Sequence, residues 1–178
     1  MLHFSCICIM LYLSNTLYIS FKYQEEGEYM HFNVKEDIIQ LTPLWKGERF
    51  EDGRPKVSDE DIAELKKLTQ EQIWESLWEN DYKNQFESHL MRIHEDDRKL
   101  IGRAVTAAYI PSRPDLFDVV EEIGHSEGRK GTHNLWVVDK LVDGDVAVVD
   151  MYDKVYEGTF VGGNLSTAIS TNTKTGGA

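Results

Sequence analysis

The sequence predicts an α/β fold within a single domain. Two segments have the composition of buried strands, residues 100–110 (LIGRAVTAAYI) and residues 145–151 (DVAVVDM). Residues 100–110 combine β-formers with small residues, which is typical of a strand that is covered on both faces, and residues 145–151 are the clearest strand in the chain. Helical patterns precede, separate and follow these strands, and strands that alternate with helices indicate an α/β domain.

The composition fits one globular domain. The 178 residues can bury one core but are too few for two comfortable domains, and the hydrophobic (41%) and charged (28%) fractions are ordinary for a folded protein. The formal net charge is −12, and basic runs such as Arg129–Lys130 are only two residues long. An acidic surface without a basic patch repels phosphate backbones, so we expect no nucleic-acid partner.

Residues 1–29 differ in composition from everything that follows. The first 21 residues contain no Asp, Glu, Lys or Arg, and they hold both cysteines, Cys6 and Cys8. They lack the basic start of a secretory signal, and polar residues dilute the apolar run below that of a convincing membrane-spanning helix. We expect an extension upstream of a true start at Met30, with a weak anchor as the alternative. Residues 30–178 then form the domain, and their lack of cysteine fits a cytoplasmic protein.

The first half of this domain is predicted to be an extended arm followed by two helices. Residues 41–57 contain two prolines and two glycines, which favours an extended arm. Ser58 with Asp61, and Thr69 with Gln72, have the spacing of helix-capping boxes. The apolar stripes that follow are Ile62, Leu65 and Leu68, then Ile73, Trp74, Leu77 and Trp78. We interpret the two tryptophans as core residues.

Helical patterns also separate and follow the two strands. Asp115 is predicted to cap a helix that ends at Gly124. Its apolar stripe consists of Leu116, Val119, Val120 and Ile123. A short helix is expected over residues 136–141. After Lys154, a short strand leads towards residues 160–163, and a last helix carries the stripe Leu165, Ala168 and Ile169.

The segment from Val161 to Asn164 (VGGN) is the candidate binding site. Its glycines let the backbone approach a ligand closely, and the start of the following helix offers unpaired N–H groups and the positive end of the helix dipole. Both features suit a carboxylate or a phosphate. Asn164 is a good N-cap, so the same atoms could also serve the helix alone. No Gly-Lys-Ser/Thr follows, and the glycine spacing is not that of a dinucleotide-binding loop.

Other polar residues are weaker candidates. Asp150 and Asp153 follow a buried strand, where α/β proteins often place functional groups, and we predict that they line the site. Residues 94–97 (HEDD) are consecutive and cannot easily converge on one metal ion, so a solvated loop is expected there. His125 and His133 flank a loop that contains glycine, but their spacing is not that of known metal ligands.

Three segments together resemble one known family. They are residues 144–169 (GDVAVVDMYDKVYEGTFVGGNLSTAI), residues 102–106 (GRAVT) with the Pro114–Leu116 stretch after them, and the arm at residues 41–59 (LTPLWKGERFEDGRPKVSD). Their order and spacing resemble the RraA-like family of pyruvate-forming aldolases and their non-catalytic relatives. The similarity extends over residues 38–178.

This resemblance implies a swivelling β/β/α-type domain that assembles as a homotrimer, with the active site between neighbouring subunits. Members of the family use a divalent cation, Mg²⁺ or Mn²⁺, to split 4-hydroxy-4-methyl-2-oxoglutarate and to decarboxylate oxaloacetate. The metal polarises a carbonyl and stabilises the enolate formed on bond cleavage. By the same resemblance, the backbone of Gly162, Gly163, Asn164 and Leu165 contacts the pyruvate part of the substrate.

The chain departs from the family pattern in two ways. The family's arginine and adjacent metal-binding aspartate would follow Ala178, so the resemblance implies an incomplete C-terminus and no catalytic or metal-binding residue within this chain. Gly163 also stands where many family aldolases carry a carboxylate. The expected function is therefore a 2-oxo acid aldolase or decarboxylase that is inactive as this chain. The alternative is a non-enzymatic regulator that binds a ribonuclease or another protein.

Overall fold

A computed structural model describes residues 34–87, 90–91, 93, 99–152 and 159–177. The predictions for residues 1–29, for residues 94–97, for Asp153 and for a strand after Lys154 lie outside these ranges. The elements are α1 (Lys35–Leu41), α2 (Asp59–Leu65), α3 (Gln70–Glu79), β1 (Arg103–Ala108), α4 (Pro114–Ser126), α5 (His133–Val138), β2 (Asp145–Asp150), α6 (Gly163–Thr173) and β3 (Gly176–Gly177). Within the described residues, no helix is long and apolar enough to cross a membrane.

The three strands form one parallel sheet in the order β1-β2-β3. Arg103 is in register with Asp145, and Ala108 is in register with Asp150. We call the side of the sheet where β1 and β2 begin the amino edge, and the side where they end the carboxyl edge. Helices alternate with these parallel strands, so the α/β class predicted from the sequence is confirmed.

The core lies on one face of the sheet, beneath α5 and α6. Its buried residues are Val105, Val138, Leu141, Ala147 and Ile169. On the opposite face, Val146 is fully buried, whereas Thr106 and Ala108 are exposed. The prediction that β1 is buried on both faces is therefore wrong for its carboxyl half, because the described elements cover that face only near the amino edge.

The predicted arm and both predicted helix starts are confirmed. Residues 42–58 contain no helix, and a single bridge pairs Arg49 with Pro55. The Ser58 side chain accepts the N–H of Asp61 at 3.0 Å, which caps α2. Thr69 and Gln72 form a full capping box at the start of α3, with bonds of 3.3 and 2.9 Å. These bonds satisfy N–H groups that a helix start leaves without partners.

The helix that follows β1 has different ends from those predicted. Arg113 is its N-cap, and Asp115 lies in its first turn, where the carboxylate pairs with Arg113. The helix also continues past Gly124 to Ser126. Gly124 is buried, and a Cβ there would collide with the ring of Trp136 on α5. Gly124 therefore lets α4 and α5 approach closely, and it does not mark the end of α4.

The tryptophan prediction is wrong. Trp74 is 45% exposed and Trp78 is 43% exposed, whereas Ile73 is buried. The two indoles stack on each other with ring centroids 5.4 Å apart, and Lys83 Nζ lies 4.2 Å from the Trp78 centroid. Ile73 lies on the inward face of α3. Trp74 and Trp78, one and five positions later, therefore lie to one side of that face.

Candidate functional site

The glycine loop lies at the carboxyl edge and leads directly into α6. Gly162 is the N-cap, with φ −100° and ψ −173°, and Gly163 is the first helical residue. The predicted N-cap, Asn164, instead lies inside the first turn. No side chain caps this helix, so the N–H groups of its first turn have no side-chain acceptor within the described residues.

There is open space around both glycines of this loop. A Cβ placed on Gly162 or on Gly163 would have no atom within 4 Å among the described residues. The side chains of Ser166 and Thr167 donate back to the carbonyls of Gly162 (3.0 Å) and Gly163 (2.9 Å), so they do not occupy the N–H groups. The first turn of α6 therefore presents donors to a space that a ligand can enter.

The loop is held in place through residues on both sides of it. Asn134 Nδ2 donates to the carbonyl of Phe160 at 3.0 Å, and Leu165 packs against the core. The Phe160 ring lies 5.5 Å from the ring of Tyr109, which directly follows β1. The N–H of Tyr109 donates to the carbonyl of Asp150 at 2.9 Å. These contacts bring the glycine loop and the ends of β1 and β2 to one edge.

Asp150 is the last residue of β2 and is exposed. Its Oδ1 accepts the N–H of Tyr152 at 2.7 Å, and Tyr152 has a left-handed backbone with φ 57°. The carboxylate therefore supports the turn after β2, which is a structural role. That Asp150 also lines the ligand site stays a prediction, as do the substrate contacts of the glycine loop.

The Tyr109 hydroxyl is a feature that the sequence reasoning missed. Its oxygen is buried, and it has no hydrogen-bond partner among the described residues. Burial raises the pKa of Tyr109, so the hydroxyl stays protonated at neutral pH and can donate. The only sequence signal was an aromatic residue immediately after a strand, which does not reveal an unpaired hydroxyl.

The described residues do not fit a divalent-metal site. No group of three or more His, Cys, Asp or Glu side chains converges within them. His133 lies among aromatic rings, with its centroid 4.5 Å from Phe117 and 4.7 Å from Trp136, and His125 meets the edge of Trp136 at 6.1 Å. These two histidines are packing residues of the α4–α5 contact.

The amino edge carries an ion network, which we define as Arg54, Asp59, Arg103 and Asp145; Arg103 and Asp145 are buried, whereas Asp59 is exposed. Asp145 is fully buried, with Arg54 Nη2 at 3.4 Å from one oxygen and Arg103 Nε at 3.5 Å from the other. Arg103 Nη1 also donates to Asp59 and to the carbonyl of Val57, both at 2.9 Å. The network attaches the arm and the start of α2 to the sheet, and its charges are used within the fold.

Comparison with known protein families, with curated proteins and with solved structures found no match to this chain. The resemblance to the RraA-like family therefore stays a prediction, and the geometry described above is the basis for the functional proposal.

Proposed function

We propose that this chain carries the 2-oxo-acid-binding part of a divalent-metal-dependent lyase of the RraA-like type. Its substrates would be pyruvate-type acids such as 4-hydroxy-4-methyl-2-oxoglutarate and oxaloacetate. The proposal includes the swivelling β/β/α-type arrangement, a homotrimer and a cytoplasmic location. The observation that supports it is the open first turn of α6 at the carboxyl edge of a parallel sheet.

A carboxylate fits this position for two physical reasons. The N–H groups of Gly163, Asn164 and Leu165 belong to the first turn of α6, where the helix dipole favours a negative charge. The two glycines have no Cβ to block the approach. In open α/β sheets, ligands bind outside the carboxyl ends of the strands, which is where this loop lies.

Such a lyase uses a divalent cation, but the described residues do not form a set of ligands for one. A divalent cation provides Lewis-acid stabilisation of an enolate. Because no set of three ligating side chains converges in the described residues, we assign these residues only binding and orientation of the acid. Backbone N–H groups hold the carboxylate, and they fix which end of the 2-oxo acid faces away from α6.

The proposal is tested by removing one backbone donor. Gly163→Pro deletes the N–H of the first helical residue, where proline is tolerated because its φ suits a helix start. Gly162 already has the extended backbone that a following proline requires, and α4 carries a proline at the same position. Ligand-observed NMR of the pyruvate methyl group, with oxalate as competitor, should show binding that Gly163→Pro weakens about tenfold or more, as loss of a charge-assisted bond predicts.

The matched control places proline at the first position of another helix. Gln70→Pro in α3 has the same helix position and an extended N-cap before it, but α3 is not part of the site. It should leave pyruvate binding unchanged, and circular dichroism should show native helix content in both variants. Equal affinity of the wild-type chain and Gly163→Pro, or absence of competition between pyruvate and oxalate, would contradict the proposal.

A further inference from the structure

The apolar stripe of α4 faces solvent. Leu116, Val119, Val120 and Ile123 are 40%, 50%, 38% and 51% exposed. They recur at the i, i+3, i+4, i+7 spacing that normally marks the core-facing side of a surface helix. In α4 this apolar side is instead exposed, because none of the described elements covers it.

The orientation of α4 is set by a different face of the helix. Phe117 lies against His133, with ring centroids 4.5 Å apart, and Gly124 is buried against the ring of Trp136. Phe117 and Gly124 are seven positions apart, so both lie on the side of α4 that meets α5. This contact fixes the position of α4 against α5, and the apolar stripe lies on a neighbouring face of α4.

A line of acidic residues borders the stripe. Asp115, Asp118 and Glu122 recur at i, i+3 and i+7, and all three are exposed. Asp115 pairs with Arg113, whereas no ion pair to Asp118 or Glu122 occurs within the described ranges. The surface therefore combines an apolar stripe with a parallel line of negative charge.

We propose that the α4 stripe binds an amphipathic helix of a partner protein that carries lysine or arginine beside its own apolar stripe. Helix-on-helix docking uses apolar anchors at this spacing, and opposite charges along the border fix the register. The 13 residues of α4 extend for about 20 Å, which matches a partner helix of about three to four turns. A face-to-face contact between the α4 helices of two copies fits less well, because it would bring two acidic lines together.

This inference does not depend on the 2-oxo acid site, which lies at the start of α6. The probe is a fluorescein-labelled synthetic helix with leucine on one face and lysine beside it. Fluorescence anisotropy with the full chain should show saturable binding that weakens as salt is added. A scrambled peptide of the same composition should bind about tenfold more weakly, because its lysines cannot align beside a stripe.

Exposed positions allow variants that leave the fold intact, which circular dichroism would verify. The double variant Val119→Ser with Ile123→Ser should weaken binding of the amphipathic peptide about tenfold or more. Leu44→Ser removes a leucine that is 82% exposed in the arm and should leave the affinity unchanged. Asp118→Lys with Glu122→Lys should weaken binding and flatten its salt dependence, whereas Glu60→Lys on α2 should do neither.

Two results would overturn the proposal. The first is unchanged affinity after the serine substitutions, or equal binding of the scrambled peptide, since either means that charge alone attracts the probe. The second is self-association of the chain through the stripe, which sedimentation velocity without peptide would detect. If the chain self-associates, and the serine variant abolishes that association while the peptide does not bind, the occupant of the stripe is a second copy of the chain.

Discussion

The two edges of the sheet differ in how their charged and polar groups are used. Asp145 and Asp150 are the first and last residues of the same strand, yet Asp145 is fully buried between two arginines and Asp150 is exposed. The amino edge is closed by side chains whose charges neutralise one another. At the carboxyl edge, the N–H groups of the α6 first turn and the hydroxyl of Tyr109 have no side-chain partners within the described residues.

This difference shows that stability and binding capacity are separated along the strands. The amino edge contributes attachment of the arm to the sheet, and any change there should alter folding. The carboxyl edge contributes donors that the fold does not consume, so changes there should alter ligand binding and leave folding nearly untouched. Substitutions at the two edges test that separation.

Asp145→Ala should be strongly destabilising. It leaves Arg103, which has only 8% of its side chain exposed, without its buried counter-ion. Breaking a buried pair by removing one partner costs about 3–5 kcal/mol. Asp150→Ala, at the other end of the same strand, should cost about 0.5 kcal/mol or a little more because its carboxylate is exposed. Urea unfolding measures both, and similar losses for the two variants would contradict the comparison.

Two glycine-to-alanine substitutions should also show a larger loss of stability at the amino edge than at the carboxyl edge. Gly144 has φ +81°, and a Cβ there would collide with the Arg103 guanidinium. Gly144→Ala should therefore destabilise the fold by about 2 kcal/mol, from backbone strain and displaced packing. Gly163→Ala enters open space at a helical position and should be neutral or stabilising by up to about 1 kcal/mol. Thermal unfolding followed by circular dichroism measures the difference, and an equal change in both variants is the contrary outcome.

The amino edge should also determine part of the response to acid. The Arg103 side chain, by hydrogen bond and by charge, holds the pKa of Asp59 below its ordinary value of 3.8. Because the folded pKa is the lower one, this contact stabilises the fold above about pH 4 and is lost as the pH falls through the folded pKa. Asp59→Asn should flatten the dependence of the free energy of unfolding on pH below about pH 4.

Asp115→Asn is the matched control for that experiment. The Arg113 hydrogen bond also lowers the pKa of Asp115, but these residues are only two positions apart and can pair in the unfolded chain as well. Its unfolding profile should therefore follow that of the wild type more closely than the Asp59→Asn profile does. If Asp115→Asn departs further from the wild-type profile than Asp59→Asn does, the contact of Asp59 with Arg103 is not what makes stability depend on pH in this range.

The smallest expected effect is on turnover, where we expect none. Our proposal gives these residues binding and orientation of the acid alone, so we expect the 178-residue chain to release no pyruvate from 4-hydroxy-4-methyl-2-oxoglutarate or oxaloacetate above the metal-only blank. Asp150→Ala should leave that background unchanged. Magnesium-dependent turnover that Asp150→Ala or Asp153→Ala abolishes would place the catalytic carboxylate inside this sequence.

Local features of the fold were predictable from the sequence because the atoms involved are close along the chain. The caps at Ser58 and Thr69 each depend on a partner three residues away, so their spacing alone identified both helix starts. The two longer strands were also predictable, because each is a short run of β-formers that lies between helical segments. The class of fold followed from those patterns.

Features that depend on tertiary contacts were not predictable. Helical periodicity groups Leu116 with Ile123 on one face of α4, but the contact between Gly124 and Trp136 turned that face outward. In the same way, the pattern around Trp74 could not show that the inward side of α3 passes through Ile73. At the site, the glycine loop was found from its sequence, whereas the unpaired hydroxyl of Tyr109 depends on what surrounds it.

The long reach of the amino-edge contacts has a consequence during protein synthesis. Arg54 and Asp145 are 91 positions apart, and Arg103 is 46 positions from Val57. The arm leaves the ribosome well before β2 exists, so its arginine has no buried carboxylate to bind until Asp145 has emerged. At about 5–20 residues per second, that interval lasts roughly 5–20 s. Throughout that interval Arg54 lacks the buried carboxylate with which it pairs in the folded sheet, so the ion pair of the arm with β2 forms late in synthesis.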